Sequence, residues 1–235
     1  KVLGHPAYST VSEAPDVQIL ESTPENPSKI EVWHSDMTFM QCPPSFTLLQ
    51  GQIIPEVGGD TLWASATAAY DALSPQLRAF LTPLTAVNDF RHGFRESLAE
   101  PGGVERLAPA IAENPPVDHP LIRTHPETGR KGIYANALFT THIVGLPSKE
   151  SDALLAFLYQ HIVTVEHTVR LSWRPGTVAI WDNRSTQHKP VNDFFPQHLN
   201  LHSQYCIAEK YVWIFVIIGK SDKCRWHHFL EMWGD

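Results

Sequence analysis

Frequent turn residues divide this chain into short segments, and that division limits the folds available to it. The 235 residues include 19 Pro and 13 Gly. Runs rich in β-branched and aromatic residues lie between these breaks: SFTLLQGQII (45–54), GIYANALF (132–139), TVRLSW (168–173) and GTVAIWDN (176–183). Many short strands separated by Gly and Pro turns indicate a mainly β sandwich or barrel.

Two helical segments interrupt the predicted strands. Ser74 and Pro75 have the N-cap and first-turn preferences of a helix start. The segment 148–163 places four apolar residues on one helical stripe: Leu154, Leu155, Leu158 and Ile162. Core packing explains this stripe without a cofactor. Residues 96–120 are polar and rich in Pro and Gly, so we predict a long loop there. The prediction is one domain over residues 1–235, mainly β with flanking helices.

Composition excludes several classes of protein. A formal net charge of −7, with 18% charged and 43% hydrophobic residues, is typical of a globular protein and argues against a nucleic-acid or anionic-membrane surface. The apolar run YVWIFVIIG (211–219) is shorter than the ~20 residues that span a bilayer, so we predict a strand. Cys42, Cys206 and Cys224 form no CxxC pair and favour a reducing, cytoplasmic location. Because the sequence begins at Lys1 without Met, we expect an N-terminal segment to be missing.

The run EVWHSDMTF (31–39) carries two side chains that can bind a metal, His34 and Asp36. If this run is a strand, both point to the same face, because strand side chains alternate. With 13 His and 25 acidic residues, however, one or two His-x-acid pairs are expected by chance, and His125-Pro-Glu127 is a second one. The pair alone therefore does not define a site.

A third ligand lies in GTVAIWDNRSTQH (176–188), where a strong strand pattern leads to His188. Two histidines and one carboxylate, with further coordination positions open, are typical of non-haem Fe(II) oxygenases. His34 and His188 are far apart in sequence, so only a closed β fold brings them together. Zinc on the same three ligands, in a hydrolase, is an alternative that lacks an identifiable general base.

Longer motifs occur in the same order as in a known family. They are WHSDMTF (33–39), GGDTLWAS (58–65), AAYDALS (68–74), NDFRHGF (88–94), HPLIRTHPETGR (119–130), ANALFTTHIVGL (135–146) and WDNRSTQH (181–188). With these motifs the chain resembles the taurine dioxygenase family of Fe(II)/2-oxoglutarate-dependent oxygenases. The resemblance implies a double-stranded β-helix, or jelly-roll, and a homo-oligomer of two or more copies.

The resemblance also implies roles for individual residues. It implies that Fe(II) is bound by His34, Asp36 and His188. Thr61, in GGDT, is implied to donate a hydrogen bond to a 2-oxoglutarate carboxylate, although an ordinary strand threonine is the alternative. A substrate pocket is implied at His5, Tyr8, Phe94 and Phe139, and the two phenylalanines could equally be core residues. The implied reaction uses 2-oxoglutarate and O₂, hydroxylates a small organosulfonate or related anion, and releases sulfite, succinate and CO₂.

Three departures from the family pattern affect the expected activity. The family carries arginines 11 and 15 residues after the distal histidine, where this chain has Leu199 and Ser203. Arginine suits carboxylates best, so an alternative is an impaired member that keeps the fold and metal ligands but binds 2-oxoglutarate poorly. Residues 199–235 are expected to be a divergent ending, or an aberrant one from a retained intron or frameshift. Ile30 replaces an Asn of taurine-using relatives, so we predict an anion without an amine.

Overall fold

A computed structural model describes residues 2–3, 9–28, 30–206 and 217–220. Within these ranges fifteen strands are present: β1 Val2–Leu3, β2 Thr10–Val11, β3 Ala14–Ser22, β4 Phe46–Ile53, β5 Thr61–Ser65, β6 Thr85–Asn88, β7 Val117–Pro120, β8 Ile122–Thr124, β9 Lys131–Ile133, β10 Thr140–Ile143, β11 Thr168–Leu171, β12 Thr177–Asp182, β13 Thr186–Pro190, β14 Leu199–Cys206 and β15 Ile217–Lys220. The same ranges contain six α-helices: α1 Ala66–Ala72, α2 Pro75–Leu81, α3 Phe90–Gly93, α4 Arg95–Ala99, α5 Gly103–Glu113 and α6 Ser148–Ile162. In these ranges a 3₁₀ turn covers Val165–His167.

Two antiparallel sheets form the centre of the fold. The larger sheet has the order β15-β12-β4-β14-β3-β2, with β1 paired to β14, and the smaller sheet has the order β11-β5-β13. Smaller sheets, β10-β6-β7 and β8-β9, accompany them. Some neighbouring strands in the larger sheet are distant in sequence. Strand β4, for example, pairs with β12 on one side and with β14 on the other.

Apolar side chains from both sheets fill the space between them. Trp181 on β12 meets Trp63 on β5 edge to face, with ring centroids 5.5 Å apart. The same buried cluster also contains Leu49, Leu171, Trp173, Ala179, Phe194, Leu199 and Leu201. On β12 the inward Ala179 and Trp181 alternate with Val178 and Ile180, which belong to a separate cluster. This period of two is the signature of a sandwich strand.

The two predicted helices form where their sequence signals place them. Ser74 caps α2 by accepting a hydrogen bond from the Leu77 amide at 3.3 Å. On α6 the buried side chains include Leu155, Leu158 and Ile162, so the apolar stripe is confirmed as a packing surface.

The predicted loop over residues 96–120 is wrong. This segment contains most of α4, all of α5 and β7. Leu107 and Ala110 on α5 are buried in a cluster that also contains Phe90. Tertiary burial therefore stabilises a helix whose Pro and Gly content argued against it.

Residues 199–206 of the predicted divergent ending form β14, which pairs with both β3 and β4 in the larger sheet. The predicted strand 211–219 lies partly outside the described residues, which resume with β15 paired to β12. None of the helices that the structure describes combines the length and hydrophobicity needed to cross a bilayer.

Candidate metal centre

His34 and His188 lie directly opposite each other on paired backbone segments. The His34 amide donates to the His188 carbonyl at 3.0 Å, and the His188 amide donates to the His34 carbonyl at 2.7 Å. Directly opposed residues of an antiparallel pair project their side chains to the same face. The two imidazole centroids are accordingly 4.2 Å apart. This bridge joins residues that are far apart in sequence.

Asp36 completes the group, although residues 31–39 do not form the strand whose alternation would place Asp36 on the face of His34. Only His34 is bridged, and the chain turns from Asp36 to Phe39 with Met37 in the left-handed region at φ 51°. Asp36 Oδ1 lies 3.7 Å from His34 Nε2 and 3.6 Å from His188 Nε2. The turn, rather than strand alternation, therefore brings the carboxylate to the histidines.

The three side chains are suited to a divalent metal ion. One ligand atom from each lies within 4.8 Å of the others, and all three residues are buried. The carboxylate–imidazole distances are too long for hydrogen bonds. They suit atoms that each bind one shared ion at about 2 Å. Among the described residues this is the one cluster of its kind.

Both imidazoles are in the form that a metal needs. Burial lowers the pKa of His34, with Asp36 partly opposing the shift, and the His34 Nδ1–H donates to the Val32 carbonyl at 3.0 Å. This hydrogen bond leaves the Nε2 lone pair for a metal. Burial and the neighbouring His34 lower the pKa of His188 well below its ordinary value. The His188 ring is packed against Trp181, with centroids 4.7 Å apart.

Hydrogen bonds behind the metal ligands fix the orientation of Asp36. The Thr47 hydroxyl donates to Asp36 Oδ2 at 2.6 Å, and the Asn183 side-chain amide donates to the Thr47 hydroxyl at 2.6 Å. Asn183 Oδ1 accepts from the Trp181 indole at 3.0 Å. Sequence reasoning missed Thr47 and Asn183. The available signals were a lone threonine among apolar β4 residues and the Asn that directly follows the β12 pattern.

Thr61 lies on the inner side of the smaller sheet, as its predicted role requires. It precedes the inward-facing Trp63 by two residues and pairs with Pro190, two residues from His188. The Thr61 hydroxyl accepts a hydrogen bond from the Trp173 indole at 2.9 Å. Its own proton is therefore available to a carboxylate.

The two predicted pocket phenylalanines belong to one aromatic cluster beside the metal-binding turn. Phe139 is buried and lies 5.0 Å, centroid to centroid, from Phe39, three residues beyond Asp36. Phe94 stacks on Phe90 at 4.3 Å. His5 and Tyr8, the other predicted pocket residues, lie outside the described part of the chain. The structure thus places both phenylalanines together without assigning them to substrate or core.

The positions of the missing arginines face the sandwich interior. Leu199 is buried in the central cluster, and Ser203, four residues along β14, is fully buried. Ser203 pairs with Leu49, two residues from Thr47 on β4. Within the described ranges, the Ser203 hydroxyl has no hydrogen-bond partner. Ile30 is half-buried, and its carbonyl accepts from the Asn192 side chain at 3.1 Å.

The second His-x-acid pair has a structural role. His125 Nε2 lies 2.9 Å from Asp182 Oδ2, and Arg184 donates to Asp182 and to Glu127. The Arg184 guanidinium also lies over the Phe46 ring at 4.7 Å. Arg184 supplies the positive charge between two carboxylates and joins the 125–127 loop to the end of β12.

The fold and the site together define a class: a β-sandwich that buries two histidines and one carboxylate in the arrangement of non-haem iron oxygenases. The family described as "Taurine catabolism dioxygenase TauD, TfdA family" matches residues 1–203. The chain belongs to this family, so the predicted resemblance is confirmed.

Individual relatives agree with this placement. The chain is 38% identical over 183 residues to an "Alkylsulfatase" of Acinetobacter baylyi, covering 77% of this chain and 57% of that protein. It is 34% identical over 202 residues to an "Alpha-ketoglutarate-dependent sulfate ester dioxygenase" of Pseudomonas putida, covering 84% and 67%. A crystal structure of a taurine dioxygenase from Burkholderia xenovorans matches with a TM-score of 0.71 and 34% identity over 88% of this chain and 67% of that one. The predicted mainly β jelly-roll is confirmed. The chain spans little more than half the length of the alkylsulfatase.

Proposed function

We propose that this chain is an Fe(II)/2-oxoglutarate-dependent dioxygenase that hydroxylates a small organosulfonate or a related anion such as a sulfate ester. With a sulfonate, the released products are sulfite, succinate and CO₂. The observation that carries the proposal is the buried set of His34, Asp36 and His188, whose ligand atoms lie within 4.8 Å of one another. Membership of the family supports it further.

The residues at the site have distinct tasks in this proposal. His34, Asp36 and His188 hold Fe(II), which together with 2-oxoglutarate and O₂ supplies the oxidising power for C–H hydroxylation. Thr47 keeps the Asp36 carboxylate oriented, and the Trp181 ring holds His188 in place. The proton of the Thr61 hydroxyl binds a carboxylate of 2-oxoglutarate. The buried surroundings of the metal ligands exclude bulk water from the reacting atoms.

The substrate class rests on the relatives and on one residue of this chain. The Acinetobacter and Pseudomonas proteins carry names that refer to sulfate esters. At position 30 this chain has the apolar side chain of Ile30, which cannot form a hydrogen bond with a substrate amine. We therefore propose that simple alkylsulfonates or alkyl sulfates are preferred over taurine, because a site without a polar partner gains nothing from an amine.

A rival function is suggested by β14. Leu199 and Ser203 occupy the inner face of the sandwich without a cation, so 2-oxoglutarate has no arginine there to bind. A family member that binds iron but little 2-oxoglutarate would follow. The comparisons with known relatives lend this reading no support, and direct measurement separates it from the proposed function.

Succinate formation from 2-oxoglutarate tests the proposal, with Fe(II) and a panel of taurine, alkylsulfonates and alkyl sulfates. Activity that depends on the anion and is lost in His188→Ala supports the proposed function, and faster turnover of taurine than of the simple anions contradicts the proposed preference. Metal binding without 2-oxoglutarate binding, measured by calorimetry without oxygen, selects the rival. In that case Leu199→Arg with Ser203→Arg is expected to restore 2-oxoglutarate binding.

The proposal also includes the predicted setting of the enzyme. We propose a homo-oligomer of two or more copies that acts in the cytoplasm on a small molecule and binds neither nucleic acid nor membrane. Family resemblance supports the oligomer, and the net charge of −7 supports the absence of nucleic-acid binding. Light scattering on the purified protein measures the oligomeric state.

A further inference from the structure

Two chain segments meet beside Thr61. One is the Gly58–Asp60 loop that leads into β5, and the other is the segment 191–193 that follows β13 and His188. The Val191 amide donates to the Asp60 carbonyl at 2.8 Å. The Gly59 amide donates to Asp193 Oδ1 at 2.9 Å. The strand that carries Thr61 and the strand that carries His188 are therefore tied together just beyond their own pairing.

The glycines of the first loop fit this junction closely. Gly58 and Gly59 have φ values of +81° and +73°, in the region that strongly favours glycine. A Cβ atom at Gly58 would collide with Asp193, and one at Gly59 would lie 2.9 Å from Pro55 Cγ. The loop thus has little freedom to shift while it remains against Asp193.

Arg170 on β11 links both segments through its guanidinium group. Its Nε donates to Asp60 Oδ2 at 2.5 Å, and its Nη2 lies 3.7 Å from Asp193 Oδ2. The Ser172 hydroxyl donates to the same Asp60 oxygen at 3.0 Å. The Asp60 side chain is only 11% exposed, whereas that of Arg170 is 53% exposed. A mostly buried carboxylate therefore depends on this arginine for its opposite charge.

The adjoining residues hold Thr61 from the other side of the sheet. Leu171 is buried in the sandwich, so Arg170, its neighbour on β11, points to the outer face. Trp173 reaches the inner side, where its indole donates to the Thr61 hydroxyl at 2.9 Å. Asp60 and Thr61 are consecutive. Arg170 therefore contacts the start of β5 from the outer face, and Trp173 contacts it from the inner face. Arg170 contacts the Gly58–Asp60 loop from the outer face of the sheet, whereas a ligand of Thr61 would bind on the inner face.

We infer that Arg170 is a positioning residue that sets the Thr61 hydroxyl for binding the cosubstrate carboxylate. It does so by fixing Asp60 and Asp193, and so the two segments that flank Thr61 and His188. The identity of the ligand, 2-oxoglutarate, rests on the proposed function. Loss of Arg170 removes the cation shared by Asp60 and Asp193, so the Asp60 loop is held less firmly and the Thr61 hydroxyl is less fixed relative to the Trp173 indole.

The experiment compares Arg170→Ala and Arg170→Lys with wild-type protein and with Arg130→Ala. Arg130 is a matched control because its guanidinium binds Asp71 at 2.8 Å with a similar 56% exposure. Calorimetry without oxygen measures the dissociation constants of Mn(II) and of 2-oxoglutarate on the metal-loaded protein. In the ligand-free protein, NMR follows the Trp173 indole N–H resonance, assigned with Trp173→Phe, and the exchange rate of the Gly59 amide.

We expect Arg170→Ala to shift the Trp173 indole resonance and to speed hydrogen exchange at the Gly59 amide. The dissociation constant of 2-oxoglutarate is expected to rise about five- to tenfold, the effect of losing one hydrogen bond. Mn(II) affinity stays at the wild-type value, Arg170→Lys recovers part of the loss, and Arg130→Ala changes none of these quantities. If the wild-type protein binds no 2-oxoglutarate, the proposed function fails while the two NMR readouts still test the inference. An unchanged indole resonance and Gly59 exchange rate, or a lower melting temperature alone, overturns it.

Discussion

Thr47 offers the sharpest test of how the protein prepares Asp36 for a metal. Its hydroxyl donates to Asp36 Oδ2 and accepts from the Asn183 amide, both at 2.6 Å, and it is almost fully buried. Thr47→Val keeps the shape of the side chain and removes both hydrogen bonds. The change therefore isolates the hydrogen bonds from packing.

The expected magnitudes follow from the two partners that are left behind. Asp36 Oδ2 loses a charge-assisted hydrogen bond, and the Asn183 amide loses an acceptor in a buried place. Losing each of these two buried hydrogen bonds costs about 1–3 kcal/mol, so we expect the free energy of unfolding of the metal-free protein to fall by about 2–6 kcal/mol. Loss of a hydrogen bond to a ligating carboxylate lowers metal affinity about 10–100-fold.

Calorimetric titration with Mn(II) and urea unfolding measure the two effects of Thr47→Val separately. Thr177→Val is the matched control, because Thr177 is also buried and its hydroxyl accepts from the Arg174 amide at 3.1 Å in the turn that leads into β12. The control is expected to lose stability and to keep its metal affinity. If Thr47→Val binds Mn(II) as tightly as the wild-type protein, the hydrogen bond does not orient Asp36 and the reasoning fails.

Two further predictions concern buried groups that are not metal ligands. Arg184→Met leaves Asp182 and Glu127 without their cation, so we expect a loss of about 3–5 kcal/mol in urea unfolding; Arg106→Met, in an exposed pair with Glu100, is expected to cost under about 1 kcal/mol, and equal losses would contradict the argument. Burial raises the pKa of Tyr134 from 10.0 to about 12. The unfolded chain therefore releases this proton at a lower pH than the folded protein. The free energy of unfolding is then expected to fall by about 2–3 kcal/mol as the pH rises from 10 through 12. Urea midpoints across this range should fall less steeply in Tyr134→Phe.

The fold was predictable where local pattern and tertiary burial agree. Strand β12 alternates inward Ala179 and Trp181 with outward residues, and α6 buries the stripe that its sequence displays. Helix α5 was not predictable from the same signals. Its Gly103 start and internal Pro109 oppose a helix, and burial of Leu107 and Ala110 against the aromatic cluster stabilises it. Such contacts between distant segments leave no periodic trace in the sequence.

The metal ligands were predictable as residues but not as geometry. Sequence named His34, Asp36 and His188. Strand alternation was one conditional explanation for how the first two come together, whereas the chain bridges at His34 and then turns. The signal at Thr47 was too weak to indicate a function, because a threonine in a strand is common and its role depends on the position of Asp36 opposite it. Long-range pairing decides both points, since the bridge to His188 sets where the turn begins.

The two His-x-acid pairs show what turns a local motif into a metal site. At His34 and Asp36 the third partner is an imidazole, and the Nε2 atoms of His34 and His188 lie 3.7 and 3.6 Å from Asp36 Oδ1. At His125 and Glu127 the third partner is Arg184, whose fixed charge neutralises the carboxylates at hydrogen-bond distance. A buried carboxylate can be neutralised either by a metal ion or by a guanidinium group. A histidine beside such a pair therefore favours a metal site, as with His188, whereas an arginine favours a structural ion cluster, as with Arg184. In this protein both residues lie in one segment, residues 184–188, that follows β12.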